Sequence, residues 1–267
     1  MSGSSPSLRP AAIAVRLRAA GCVFAEEEAR LLIAAAPAPA DLEAMVERRV
    51  AGLPLEYVIG WADFCGLRIS IDPGVFVPRH RSEFLVGQAV ALTRPDAVVL
   101  DLCCGSGAIG AALAAAVPGI QLHSADIDPI AVRCAERNLA TTDGHVYEGD
   151  LFDPLPSSLR GRVNVLVANV PYVPTAEVAL LPREARLYEP EAALDGGPDG
   201  LDLVRRVAAG APLWLAPDGH LLVETSDDQA DATATIFEER GLIPEVSRFE
   251  ELDATVVTGA MHAALTR

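Results

Sequence analysis

From Ser82 onward the chain alternates helix-like and strand-like segments, and this alternation constrains the fold more than any other feature. Ser82–Thr93 reads as an apolar helix and Ala97–Leu100 as a buried strand that ends in Asp101. Ser106–Ala116 is an alanine-rich helix, and Ile120–Ala125 a second strand, ending in Asp126. Asp128-Pro129 supplies an N-cap and a first-turn proline for a helix running to Leu139. His145–Gly149, Val163–Ala168 and His220–Glu224 are further strands, with helices at Leu201–Ala209 and Asp228–Arg240. Such repetition requires crossover connections, hence a largely parallel sheet covered by helices on both faces. The last two strands, Pro244–Phe249 and Ala254–Ala260, are separated by a short acidic loop and must pair antiparallel. The expected fold class is α/β, a doubly wound, mostly parallel seven-stranded sheet with an antiparallel terminal hairpin.

The region before Ser82 has a different texture. Met1–Pro10 is rich in Ser and Pro and is expected to fray. Leu8–Ala20, Ala25–Ala36 and Asp41–Ala51 read as three helices, broken at Gly21 and at Pro37-Ala38-Pro39, with Asp41 as a candidate N-cap. Trp61–Ile71 has strand-like composition, and Asp72-Pro73-Gly74 is a turn signal. The expected organisation is a small helical bundle over residues 1–60, a β-hairpin linker over 61–79 and the α/β domain over 80–267.

Composition excludes several classes. The apolar stretches are too short to span a bilayer, and Arg16 and Arg18 interrupt the N-terminal one, so neither a membrane span nor a signal peptide is expected. The five cysteines are odd in number and lack zinc-ligand spacing, so no metal is expected, and a reduced, cytoplasmic protein is the simplest reading. The formal charge is −16, and all 21 basic residues are arginine. That balance disfavours direct contact with a nucleic-acid backbone. Monomer is the default oligomeric state.

Two segments carry chemistry. Asp101-Leu102-Cys103-Cys104-Gly105-Ser106-Gly107 joins the first strand of the sheet to its helix, and its glycines let backbone approach a ligand closely. Asp126, at the end of the next strand, can accept two hydrogen bonds from ribose hydroxyls, and together these form a nucleoside site at the carboxyl edge of the sheet. Gly105 to Gly110 also satisfies the dinucleotide pattern GxGxxG, so a nicotinamide dehydrogenase is a competing reading. Against it, Asp101 and three further residues precede the first glycine, and a carboxylate there repels pyrophosphate while suiting the cationic amino-acid moiety of S-adenosylmethionine. Cys103 and Cys104 read as small packing residues in that loop. The second segment, Asn169-Val170-Pro171-Tyr172, follows a strand directly. It offers the Asn169 side-chain oxygen, the Val170 carbonyl and an aromatic face, which suits a planar NH₂ group and has no role in hydride transfer.

With these residues the chain resembles the HemK/PrmC family of protein-(glutamine-N5) methyltransferases over nearly its whole length. Leu53–Gly60, Phe64–Leu67 and Asp72–Arg79 are similar to that family's interdomain segment. Asp101–Gly107 is similar to its cofactor loop, Asp126 to its ribose-binding acid and Gly149-Asp150-Leu151-Phe152 to the segment beside the adenine. Asn169–Tyr172 stands where the family has NPPY, and Glu189-Pro190 through Asp202 resembles the stretch that follows. The resemblance implies a class I S-adenosylmethionine-dependent methyltransferase fold, S-adenosyl-L-methionine as cofactor and N-terminal helices that dock a protein substrate. It also implies an acceptor glutamine in the Gly-Gly-Gln loop of a peptide chain release factor.

Three positions depart from the family's pattern. Cys103 replaces its usual glycine, His80-Arg81-Ser82 replaces Pro-Glu-Thr, and Val170 replaces the first motif proline. Pro171 and the β-branched side chain still bias Val170 towards an extended conformation. A paralogue that methylates another protein glutamine, or a small-molecule or nucleobase amine, remains open on sequence alone, as does a cofactor-binding module without activity. Glu189 and Asp195–Asp202 read equally well as a substrate wall or as a surface loop.

Overall fold

The fold is that of a computed structural model, which describes residues 9–261. The expectation of a frayed start therefore falls mostly outside the described residues, as does His262.

Four helices open the chain: α1 (Pro10–Ala19), α2 (Ala25–Ala35), α3 (Pro39–Val50) and the short α4 (Leu55–Ile59). Ile13, Leu17, Leu32, Leu42, Val46 and Val58 form a core of their own between them. Asp41 is not the cap of α3. Pro39 occupies the first helical position behind Ala38, where its missing N–H costs nothing, and Asp41 lies within the same first turn. The α4 turn, between Pro54 and the left-handed Gly60, was not anticipated. Strands β1 (Trp61–Phe64) and β2 (Leu67–Ser70) then form an antiparallel hairpin with Phe64 opposite Leu67.

The α/β unit follows as α5 (Ser82–Leu92), β3 (Val98–Leu102), α6 (Ala108–Ala116), β4 (Gln121–Asp126), α7 (Pro129–Asn138), β5 (His145–Glu148) and β6 (Val163–Ala168). After α8 (Arg183–Tyr188) come α9 (Asp202–Trp214), β7 (Leu215–Thr225), α10 (Ala230–Glu239), β8 (Leu242–Phe249) and β9 (Ala254–Met261). The sheet order is β5-β4-β3-β6-β7-β9-β8. Its first five strands are parallel, and β9 runs antiparallel between β7 and β8. The terminal hairpin thus folds back so that the last strand, not the penultimate one, meets the parallel sheet.

The strands are apolar in continuous runs because both faces are covered. In β6, Val165 and Val167 pack towards α5 and α6, while Leu166 and Ala168 pack towards α9 and α10. Asp128 caps α7 as the sequence predicts, its Oδ1 accepting from Ile130 N at 2.7 Å. Helix α9 continues past the expected stop at Ala209 to Trp214, passing through Pro212. Gly210 is needed there because a Cβ would meet Phe152 Cδ2 at 2.7 Å, and the Phe152 ring stacks on Trp214. No helix among the described residues is long and apolar enough to cross a membrane.

Two polar contacts, each made by a buried side chain of the bundle, join the helical bundle to the α/β unit. Arg49 of α3 binds Glu28 of α2 at 2.6 Å and Glu184 of α8 at 2.6 Å. Burial opposes its charge, but the two carboxylates outweigh that and raise its pKa. Tyr57 of α4 donates its hydroxyl to the carbonyls of Val75, at 2.8 Å, and Tyr188, at 3.3 Å.

Candidate active site

The strand order reverses at β3, with β4 on one side and β6 on the other, and a crevice opens there beyond the carboxyl ends of the strands. Register decides what meets in it. Leu102 pairs with both Ala125 and Ala168, so the residues that follow each of them, Cys103, Asp126 and Asn169, emerge side by side. Ala168 in turn pairs with Val223, which brings Glu224 beside Asn169. The resulting cavity has a volume of about 1300 Å³.

One wall is the loop after β3. Cys103, Gly105 and Gly107 all take positive φ, at 55°, 54° and 75°, which coils the loop tightly into α6. Gly105 N donates to Asp126 Oδ2 at 2.8 Å, and Asp128 N donates to Asp126 Oδ1 at 2.9 Å. Asp126 therefore shapes both flanking loops while facing the cavity, and burial raises its pKa. Cys103, Cys104, Gly105 and Ser106 line the cavity, with Asp150 and Leu151 beyond them. Asp150 is paired with Arg206 at 2.7 Å.

Asp101 and Gly107 lie behind this wall. Asp101 is wholly buried, accepts from Gly110 N at 3.0 Å through Oδ2, and among the described residues has no partner for Oδ1. Burial pushes its pKa up to about 7, with Asp126 adding to the rise. The carboxylate expected to face an amino-acid moiety thus sits beneath the loop. Burial and the nearby carboxylates also push the thiols of Cys103 and Cys104 well above the usual range, which holds them protonated and suits packing over nucleophilic or redox chemistry.

The opposite wall is Asn169–Tyr172. Asn169 Nδ2 donates to Ser82 Oγ at 3.2 Å, which leaves Oδ1 as the acceptor at the other end of the amide. Among the described residues no hydrogen bond reaches Asn169 Oδ1 or the Val170 carbonyl, and both residues line the cavity. Tyr172 is held by its hydroxyl, which donates to Glu224 Oε1 at 3.1 Å, and Arg81 pairs with the same oxygen at 3.3 Å while lying over the Tyr172 ring. Glu189 is buried, binds Arg79 at 2.6 Å and accepts from Val77 N at 3.3 Å. The Asp195–Asp202 stretch is a wall rather than a free loop, since Val173 and Asp195 form a bridge and Gly196 N donates to Val173 O at 2.8 Å. Sequence reasoning did not single out Ser82, Glu224 or Arg49 as partners. Each acts on a residue far away in the chain, and no local signal marks them.

Carboxylates outnumber guanidinium groups on the cavity wall by ten to three, and each of the three arginines is paired. Such a wall repels pyrophosphate and suits a ligand that carries positive charge and hydroxyl groups. The residues present therefore fit S-adenosylmethionine better than a dinucleotide.

Comparisons with known proteins agree with this geometry. A family model described as Methyltransferase small domain matches residues 66–186. The release factor glutamine methyltransferase of Geobacter sulfurreducens is 41% identical over 199 residues, covering 74% of this chain and 69% of that protein. The release factor glutamine methyltransferase of Streptomyces coelicolor is 40% identical over 202 residues, covering 74% of this chain and 72% of that protein. The crystal structure of a methyltransferase from Pyrococcus furiosus superimposes with a TM-score of 0.57 over 82% of this chain and 98% of that one, at 15% identity, a likeness of fold.

Proposed function

This chain belongs to the release factor glutamine methyltransferase family, and from that premise we propose that it methylates the side-chain amide nitrogen of a glutamine in a peptide chain release factor. The observation that carries the reading is the pair of unengaged acceptors, Asn169 Oδ1 and the Val170 carbonyl, on the wall of the cavity that the Cys103–Ser106 loop also lines.

When bound, S-adenosyl-L-methionine supplies an electrophilic methyl group on a positively charged sulfur. Cys103, Cys104, Gly105 and Ser106 would hold it with Asp126 at the ribose hydroxyls and Asp150 and Leu151 beside the base. Asp101 and Gly107 act from behind, by shaping the loop.

An amide nitrogen is a weak nucleophile because its lone pair is delocalised into the carbonyl. Asn169 Oδ1 and the Val170 carbonyl accept its two N–H groups, which orients the nitrogen and favours the positive charge that develops on it. Ser82 anchors the NH₂ end of the Asn169 side chain. Pro171 restrains Val170 to an extended backbone, so the carbonyl keeps its aim without the family's first proline. Tyr172, fixed by Glu224, packs against the amide or its stem. The proton lost by the nitrogen passes to solvent after transfer, so no strong base is needed. The helices over residues 1–60 serve as the docking surface for the protein substrate, and a cytoplasmic monomer suffices for this role.

The test is intact-mass spectrometry of a release factor incubated with this protein and S-adenosylmethionine. The expected result is a single added methyl on the glutamine of its Gly-Gly-Gln loop. Cofactor binding without any transfer to that glutamine would refute the assignment.

A further inference from the structure

The main-chain carbonyl of Tyr172 is held from behind the motif. Gln229 Nε2 donates to Tyr172 O at 2.9 Å and to Asp199 O at 3.0 Å. Its Oε1 accepts from Thr225 Oγ1 at 3.2 Å and from Ser226 Oγ at 3.0 Å. Two carbonyls can be met only by the NH₂ end, so the orientation of this amide follows from its partners. Gln229 itself sits at the turn before α10, where its N–H donates to Ser226 O at 3.1 Å, and it is not on the cavity wall.

The two carbonyls belong to different segments, the Asn169–Tyr172 loop and the Asp195–Asp202 loop. Glycines let these segments stack backbone on backbone. A Cβ on Gly196 would meet Pro171 O at 2.6 Å, and one on Gly200 would collide with both Tyr172 O and the Gln229 amide. No side chain fits in that seam. Backbone bonds from Gly196 N to Val173 O and from Thr175 N to Gly197 O fasten the residues just after Tyr172, and Gln229 fastens the Tyr172 carbonyl itself.

We propose that Gln229 is a positioning residue for methyl transfer, setting the aim of the Asn169–Tyr172 loop by clamping Tyr172 O to the Gly-rich loop. The proposal rests on the methyltransferase reading above. Tyr172 is then fixed at both ends, by Glu224 at the hydroxyl and by Gln229 at the carbonyl. Loss of the Gln229 clamp loosens the Tyr172 end of the loop that carries both amide acceptors and leaves the Cys103–Ser106 wall untouched. A small displacement of a reacting group is enough to lower turnover on the order of 100-fold.

The test uses the full chain and two variants, Gln229→Met, which keeps the length and loses every hydrogen bond, and Thr225→Val with Ser226→Ala, which releases only the Oε1 end. Methyl transfer to a release factor is measured alongside calorimetric titration of S-adenosylmethionine. The expected result for Gln229→Met is a fall in kcat of at least about tenfold with a cofactor Kd within about twofold of the parent, and a smaller fall for the double variant. A folded Gln229→Met protein with the parent's kcat overturns the proposal, as does a loss of cofactor affinity in step with kcat. Should Gln229→Met fail to fold, the double variant decides by the same two criteria. No transfer by the parent chain overturns the methyltransferase reading and this role with it, whereas equal transfer by parent and variant overturns this role alone.

Discussion

Asn169 and Ser82 are 87 residues apart in the chain, yet Asn169 Nδ2 donates to Ser82 Oγ at 3.2 Å, and this contact anchors the NH₂ end of the asparagine amide to the start of α5. Ser82 is the first residue of α5 and is buried, so its hydroxyl is held in place beside the amide. Asn169→Ala removes one of the two amide acceptors and should lower kcat by about 100-fold with the cofactor Kd unchanged. Ser82→Ala leaves the acceptor in place but removes the anchor of the amide's other end, so its loss should be less than about tenfold. Single-turnover methyl transfer on both variants checks the order, and an Asn169→Ala enzyme as fast as the parent would sink the mechanism.

Arg49 ties three elements together with unequal strength. Its pair with Glu28 is buried on both sides, whereas the side chain of Glu184 is 45% exposed. Breaking a buried pair leaves a charge without a partner, so Arg49→Met should destabilise the fold by about 3 kcal/mol. Removing the exposed partner in Glu184→Gln should cost less than about 1 kcal/mol. Urea denaturation of the two variants distinguishes them, and equal losses would show that the contact with α8 carries as much as the one with α2.

The contrast between these residues shows what a sequence of this kind discloses. Val163–Ala168 could be read as a strand because five of its six residues are apolar, on both faces, and Asp128-Pro129 as a helix start because cap and proline are adjacent in the chain. The motif segments at 101–107 and 169–172 are likewise local. Ser82, Glu224 and Gln229 are ordinary polar residues until the parallel register brings Asn169 beside Glu224 and folds Tyr172 O onto Gln229. The insertion of β9 between β7 and β8 is equally invisible, since a short loop permits the hairpin to lie either way round. Gly210 and Pro212 look like a helix stop and are overridden by the packing of Phe152 against Trp214.

Asp101 gives the fold a pH dependence of defined sign. In an unfolded chain its carboxyl titrates near 3.8, and in the folded protein at about 7, chiefly through burial. Between those values the native state holds the proton that the unfolded state has released, so this group makes stability fall as pH rises. The penalty is absent below the lower value and complete above the upper one. Asp101→Asn removes it and offers an N–H donor near Ser124 Oγ, which is also buried without a partner among the described residues. In urea denaturation of the cofactor-free protein, the variant's stability relative to the parent should increase from about pH 4 and level off above about pH 7. A relative stability that declines over that range would mean that the ionised Asp101 is favoured by the fold.

Cys103 holds a left-handed backbone, with φ at 55°, at a point where its side chain meets the cavity wall and packs beside the core that includes Leu151. A residue with a Cβ costs roughly 1 kcal/mol in that conformation, while glycine adds a comparable entropy penalty through the unfolded chain. Cys103→Gly should therefore leave stability within about 1 kcal/mol of the parent. Its effect should appear in the cavity instead, where removal of the thiol opens the wall. Calorimetric titration with S-adenosylmethionine should rank Cys103→Gly as the tightest binder, the parent next and Cys103→Val as the weakest, because a β-branched residue is both larger and least tolerant of positive φ. Weaker binding by Cys103→Gly than by the parent would identify the thiol as a favourable contact rather than an obstruction, and would place the sulfur among the groups that hold the cofactor.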